Sequence, residues 1–353
     1  MSEIMNEVIR SIKVLQSRFE FAQFGEKKPL NRADFSICLT AVHSILSKTK
    51  PVGLAPTDHP NMEKLKAHLE HKTRGGHDKE SVVNYLAKVR HYGCGRKYFD
   101  FWSNWNNKPT VKTEDLKEEN RKRFEELMNF AKPFEEIVGI KGFIAWDVAE
   151  SIQIVREAYL CGYIDERLAG EIIADFSNMA LHTYEDWTDF ALSYVCGGCY
   201  FMYENTGKEE EVKKMCDTIL DALEQLFFSE KNDIWAKYEW FKPKNYFNGF
   251  KPEKDLADKK LGCYVTDRVS MDGAPIQYAE RQLANPGFPD SGWKFMAGDE
   301  TGEYLSNANN VGIFTLNYMA NYDQTILPIL DAPVGSVFVR NEQGDFVLKE
   351  NNK

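Results

Sequence analysis

Between Asp290 and Leu305 the chain reads DSGWKFMAGDETGEYL, which sets four carboxylates, Asp290, Asp299, Glu300 and Glu303, around one tryptophan, Trp293. Carboxylates at this density suit three kinds of chemistry. They can ligate a hard divalent cation, which takes several oxygen ligands. They can form a general acid/base pair. They can also present negative charge to another protein, with nearby aromatics as anchors. A solvated turn would need no function at all. The spacing fits no EF-hand loop, and no histidine stands nearby to serve as a base. If Trp293 to Ala297 is a strand, alternation puts Trp293, Phe295 and Ala297 on one face and Lys294 and Met296 on the other. Gly298 would end that strand, and Asp299 and Glu300 are expected to project from its tip.

Other chemistry-bearing residues read more simply as structure. Cys196-Gly-Gly-Cys199 has thiol-exchange spacing, but it falls inside a helical run with no preceding strand and no second cysteine pair for zinc. Small residues there are expected to let helices approach closely. His59, His68, His71, His77 and His91 cluster in the N-terminal third without ligand spacing. No HExxH, GxSxG or GxxxxGK[ST] occurs. Asp147, Asp165 and Glu171 sit where caps or solvated faces place carboxylates.

The elements that must position these residues change character along the chain. With 353 residues, two domains are expected. From residue 3 to about 228 apolar residues recur at helical spacing. Examples are Ile4, Val8, Ile12 and Leu15, a run from Asn31 toward Pro51, one from Asp78 that stops at YGCG, and one from Trp146 to Gly162. Thr183 with Asp186 resembles a capping box ahead of Trp187, and Glu209 to Phe228 forms the last long helix. Residues 230–260 are aromatic, basic and broken by Pro243, Gly249 and Pro252, which reads as a connector. From Leu261 the pattern becomes strand-like. CYVTDRVSM and APIQYAERQ flank Asp272-Gly273, a hairpin signal, and GSVFVR and DFVLK flank a Gly-bearing turn. NNVGIFTLNYMANYD and ILPIL are expected as short helices.

A net charge of −10 argues against sequence-independent nucleic-acid binding, which needs clustered cations. The N-terminus is amphipathic rather than a signal peptide. No run reaches the roughly 18 to 20 apolar residues of a membrane helix. Seven scattered cysteines fit reduced thiols in a cytoplasm.

CYVTDRVSMDG, the DSGWKFMAGDETGEYL stretch with its continuation to NYD, and ILPILDAPVGSVFVR together resemble the immunity protein 33 family (domain of unknown function 2185) over about residues 261–340. Its members are expected to neutralise bacterial polymorphic toxins. The family pattern falls on Asp290, Gly292, Trp293, Gly298, Asp299, Glu300, Tyr304, Asn317, Asn321, Tyr322, Asp323, Pro328, Asp331, Pro333 and Gly335. The arm APIQYAERQLANPGF keeps Arg281 but lacks the family's Gly-Tyr and Met-Tyr pairs. The middle of the chain, most strongly 140–205, is similar to the domain of unknown function 1266 family through Trp146, Asp147, Arg156, Gly162, Tyr163, Ile164, Thr183, Trp187, Tyr194 and Gly197. That family implies a helical architecture and a bacterial setting.

These readings combine into an α+β chain. An all-helical domain (1–229), a connector (230–260) and a small α+β domain with antiparallel strands (261–353) are expected. The resemblance implies a cytoplasmic, non-enzymatic immunity protein without cofactor or metal. Its partner would be a cognate protein toxin, for instance one of the basic nuclease type, with no direct nucleic-acid or membrane contact. Asp290, Trp293, Asp299, Glu300, Glu303, Tyr304, Asn321, Tyr322 and Asp323 are the candidate partner-binding residues. The alternatives are a metal-dependent hydrolase using Asp290, Asp299, Glu300 and Glu303, or a general protein-binding adaptor.

Overall fold

The computed structural model describes residues 2–287, 289–307 and 310–349. The chain divides into two units, Met1–Lys242 and Pro243–Lys353.

The first unit is helical. In order it contains α1 (Glu3–Phe21), α2 (Arg32–Cys38), α3 (Ala41–Ser47), α4 (Met62–Thr73), α5 (Lys79–Tyr92), α6 (Cys94–Trp105), α7 (Glu118–Ala131), α8 (Glu135–Val138), α9 (Ile144–Leu160), α10 (Glu166–Thr183), α11 (Trp187–Thr206), α12 (Glu209–Phe228) and α13 (Ile234–Lys237). α1 is amphipathic: Ser2 caps it by accepting from the Met5 amide (3.1 Å), and Met5, Val8, Ile12 and Leu15 face the core. α9 is buried on nearly every side and packs against α5, α6, α10 and α11, which makes it the axis of the unit. α11 crosses it closely at Gly197 and Gly198. A Cβ on Gly197 would lie 2.5 Å from that of Trp146, and one on Gly198 would lie 2.5 Å from Ile219 of α12.

Two local expectations need correction here. The helix read from Asn31 to Pro51 is two short helices, α2 and α3, broken at Leu39-Thr40. The helix read from Asp78 does stop at YGCG, with α5 ending at Tyr92 and α6 beginning directly after Gly93. The cap of α11 is Asp186, which accepts from the Asp189 amide (2.9 Å), and not Thr183, whose hydroxyl bonds back to Met179 within α10.

Residues 230–260 are shared between the units. Trp235 and Trp240 are buried in the helical core, and the Trp235 ring stacks on Trp187 at 5.2 Å. Phe247 instead enters the second core, 4.3 Å from the ring of Tyr322.

The second unit comprises β1 (Gly262–Thr266), α14 (Asp267–Ser270), β2 (Tyr278–Arg281), β3 (Asp290–Met296), α15 (Gly302–Ser306), β4 (Val311–Thr315), α16 (Leu316–Tyr322), β5 (Val337–Arg340) and β6 (Phe346–Leu348), with a 3-10 segment at Gln324–Ile329. The six strands form one sheet in the order β4-β1-β3-β2-β5-β6. Only β1 and β3 pair in parallel; the other pairs are antiparallel. The expected hairpin at Asp272-Gly273 is absent, because β1 pairs with β3 and β4, and α14 carries the chain away to β2. VGIFT, expected as part of a helix, is β4. The β5–β6 hairpin forms as expected, with Gly344 at φ +90° in its turn. One face of the sheet is the core: Cys263, Val265, Ala279, Trp293 and Phe295 are fully buried with Met319, Ala320 and Ile326.

Candidate functional site

The acidic stretch begins in β3. Trp293, Phe295 and Ala297 do point into the core, and Trp293 is wholly buried, its Nε1 donating to the Leu330 carbonyl (3.2 Å). The Arg281 guanidinium lies 5.8 Å from the indole centre and donates to the Leu330 and Ala332 carbonyls. Gly292 is fixed as glycine by its φ of +77°, and a Cβ there would sit 2.1 Å from the Gln282 carbonyl oxygen.

The carboxylates do not converge. Asp290 accepts from the amides of Asn285 and Gly292, both at 2.9 Å. Glu300 does not project from the strand tip but folds back. It accepts from the amides of Ala297 (2.8 Å) and Gly298 (2.7 Å) and from the Thr266 hydroxyl, so it closes the turn at Gly298, whose φ is +89°. Asp299 does face outward, where Arg268 reaches it at 2.6 Å and reaches Asp272 at 2.8 Å. The Arg268 hydrogen bond holds the Asp299 carboxyl below the usual carboxylate range. Glu303 is exposed in α15, beside half-buried Tyr304. Among the described residues, no three His, Cys, Asp or Glu side chains are placed to hold a metal ion.

The remaining candidates serve the fold. Asn321 accepts from the amides of Glu253 and Lys254 and donates to the Lys254 carbonyl, and Asn317 holds Leu256 and Ala257 in the same way. Asp323 caps the following 3-10 segment and pairs with Arg340 at 2.6 Å. Tyr322 packs on Phe247 and Phe250. Asp299 and Glu303 are the exposed carboxylates of the set.

A further surface feature of this unit lies mostly outside the expected site residues, sharing with them only Asp290 and Glu300. The sheet face opposite the core carries a groove of about 840 Å³. In register across its middle stand Ile313 of β4, Tyr264 of β1, Lys294 of β3 and Glu280 of β2. Ile313 is 69% exposed, Tyr264 37%, and Leu283 and Leu305 on the margins 83% and 42%, a grouping of large apolar side chains that folding alone does not require. A sequence signal existed. Tyr264 alternates with buried Cys263 and Val265, and Ile313 falls opposite it, so the apolar character of the outer face is written in the strands.

In the helical unit, polar residues on α9 act internally. Both Asp147 oxygens accept from the first amides of α6, Cys94 at 2.9 Å and Gly95 at 2.7 Å, supplying a cap that Gly93 cannot. Arg156, fully buried, donates to Thr40 and to the carbonyls of Lys50, Gly53 and Leu54. Glu157 pairs with His68 at 2.7 Å. Glu150 sits between His43 and Lys72, each at 2.9 Å; burial alone would raise its pKa, and these two neighbours together hold it below the usual range. Cys196 and Cys199 are buried inside α11, and burial pushes the Cys196 thiol far above its ordinary pKa, which suits packing and not nucleophilic attack.

The profile of the Immunity protein Imm33 domain matches residues 263–350. The profile described as Protein of unknown function (DUF1266) matches residues 61–240, just over half of the chain. No curated protein and no solved structure matches it.

Proposed function

The chain belongs to the DUF1266 family and carries an Imm33 immunity-protein domain, and from that premise we propose that it neutralises a cognate protein toxin by binding it through the C-terminal unit. The observation that supports this reading is the outer face of the sheet. An 840 Å³ groove in which exposed Tyr264, Leu283 and Ile313 stand beside Lys294 and Glu280 mixes apolar and charged side chains as a protein-binding surface does. Asp299, Glu303 and Tyr304 adjoin the strand ends beside it and add negative charge at the edge, which steers a basic partner. Neutralisation needs no reacting group, only occupation of the surface the toxin uses. The complex forms in the cytoplasm. Among the described residues no helix is long and apolar enough to cross a membrane.

Growth rescue tests the proposal. A candidate toxin, sought among the genes beside this one, is expressed with the full chain, with a Tyr264→Arg/Ile313→Arg variant, or alone. Rescue by the native chain and loss of rescue by a variant with unchanged melting temperature are expected. Failure of the native chain to rescue would overturn the immunity reading.

A metal-dependent hydrolase built on Asp290, Asp299, Glu300 and Glu303 is not favoured by this geometry, because each carboxylate is turned to a different partner or to solvent. The helical unit holds its polar groups in internal pairs, consistent with a scaffold or a second binding module.

A further inference from the structure

The two edges of the sheet are built differently. β6 ends one side, three residues long and flanked by Asp345 and Lys349, and such charges keep an edge from pairing with another chain. β4 ends the other, and from Ser306 to Tyr322 the sequence around it carries no charged residue. Its hydrogen-bonding direction follows from the register. The Gly262 amide donates to Pro289 on the β3 side, and Leu261 accepts from Leu316 on the β4 side, so alternation turns the backbone of Cys263 and Val265 toward β4. Their partners Phe314 and Gly312 complete that ladder, which leaves Val311, Ile313 and Thr315 with backbone groups pointing away from the sheet. No described residue pairs with the Ile313 backbone there. The same three residues are all β-branched and share the outer face, where Ile313 is 69% exposed.

The outward set is symmetric about Ile313, as pairing with an identical strand requires. We propose that β4 pairs antiparallel with β4 of a second copy of this chain, about a two-fold axis at Ile313, so that one sheet runs through both copies. Ile313 exchanges N–H···O=C bonds with its counterpart, and on either side the Thr315 amide donates to the Val311 carbonyl of the other copy. The Thr315 carbonyl takes no part, because Thr315 is the N-cap of α16 and its carbonyl serves the first turn of that helix. On the outer face Ile313 meets Ile313 and Val311 meets Thr315, contacts between β-branched side chains of the kind that stabilise neighbouring strands. A two-fold axis brings each nearby charge close to its own copy, and the uncharged stretch around β4 escapes that repulsion. The pairing uses the backbone edge of the sheet and leaves Tyr264 and Lys294 in the groove of each copy, so it does not rest on the toxin contact proposed above.

Sedimentation of the full chain across the micromolar range, with no toxin present, tests the pairing. The native chain should pass from monomer to dimer as concentration rises. Thr315→Pro removes the outward donor, and the φ of −75° at Thr315 already suits proline. It also removes the side-chain cap that accepts from the Tyr318 amide (3.1 Å), so Thr315→Ala, which loses the cap and keeps the amide, is its control. The proline variant should dimerise at least about tenfold more weakly, since symmetry doubles the lost bond, and the alanine variant should match the native chain. Ile313→Lys sets like charges opposite each other at the axis and should sediment as a monomer at unchanged melting temperature. Cross-linking with a one-carbon bis-methanethiosulfonate reads the register. Ile313→Cys should link to its counterpart, and Val311→Cys, about 13 Å from its own counterpart, should not. A native chain that stays monomeric, equal dimerisation by the two Thr315 variants, a dimer that survives Ile313→Lys, or linkage at residue 311 in place of 313 would overturn the pairing. Each outcome is reached without the toxin, so growth rescue still decides the immunity reading by itself.

Discussion

Asp147 and Gly95 are fifty-two positions apart in sequence and joined by a 2.7 Å hydrogen bond, through which the central helix caps its neighbour. Asp147→Ala would leave the amides of Cys94 and Gly95 buried without an acceptor. A loss of about 2–4 kcal/mol from the helical unit is expected, measured by denaturant unfolding with intrinsic tryptophan fluorescence. A loss below about 0.5 kcal/mol would mean that water takes over the cap.

Gly197 sets how near α11 comes to α9. Gly197→Ala drives a methyl into Trp146 and should cost about 1–3 kcal/mol by overpacking. Replacing Cys196 and Cys199 together with Ala should cost about the same through lost packing and leave protection from the toxin intact. Loss of protection at an unchanged melting temperature would reassign the pair to redox chemistry.

His68 ties α4 to α9 through Glu157, and that hydrogen bond raises the imidazole pKa above its ordinary 6.5, against the opposing effect of burial. Because the folded state binds the proton more tightly, the contribution is complete below about pH 6.5 and is lost as pH rises through the folded value. Lys72 and Glu150 are the other charged groups that act on it. The side chain is 42% exposed, so the effect should be local and small. Hydrogen exchange in α4, corrected for intrinsic rates, should speed up above that pH in the native chain and show no such step in His68→Gln.

Glu300 and Asp299 are adjacent and should behave oppositely. Glu300→Gln keeps one acceptor where two amides and a hydroxyl converge, and should lower the stability of the sheet unit by about 1–3 kcal/mol. Asp299→Asn breaks an exposed pair with Arg268 and should leave stability within about 0.5 kcal/mol, while slowing toxin association at low salt. Thermal melts paired with association rates at two ionic strengths distinguish the two roles.

Trp293→Ala removes the largest side chain of the sheet core and the donor to Leu330, and a loss of about 3–5 kcal/mol is expected. A folded, stable variant that fails only in toxin binding would move Trp293 from the core into the contact surface.

What could be read from the sequence follows the range of the interactions involved. α12 spans Glu209–Phe228, where its periodicity put it, because an amphipathic helix is written by its own residues. α6 was missed because its cap comes from Asp147, and Gly93 by itself looks like a stop. The fold of each domain was legible from periodicity together with the motif SGW–GDE–NYD–DAP. The pairing of β1 was not. Asp272-Gly273 is a valid local turn signal, but the partners of β1 are chosen by the burial of Cys263 and Val265 against β3 and β4. Likewise, nothing local turns Glu300 back onto Ala297; that depends on Thr266 of another strand being next to it.

The strand order also fixes when the second unit can exist. β1 lies between β3 and β4, both of which follow it in the chain, and β2 lies between β3 and the still later β5. No early hairpin can hold β1 while the ribosome is still making its neighbours. The helical unit precedes this and can close on contacts already synthesised. At about 5–20 residues per second, the roughly hundred residues of the sheet unit trail the helical one by several seconds or more. A nascent chain therefore displays a finished helical body well before it owns a surface for the toxin, and a stalled one never gains that surface. On the reading proposed above, protection at any moment depends on the stock of completed molecules, and newly started synthesis contributes only after that delay.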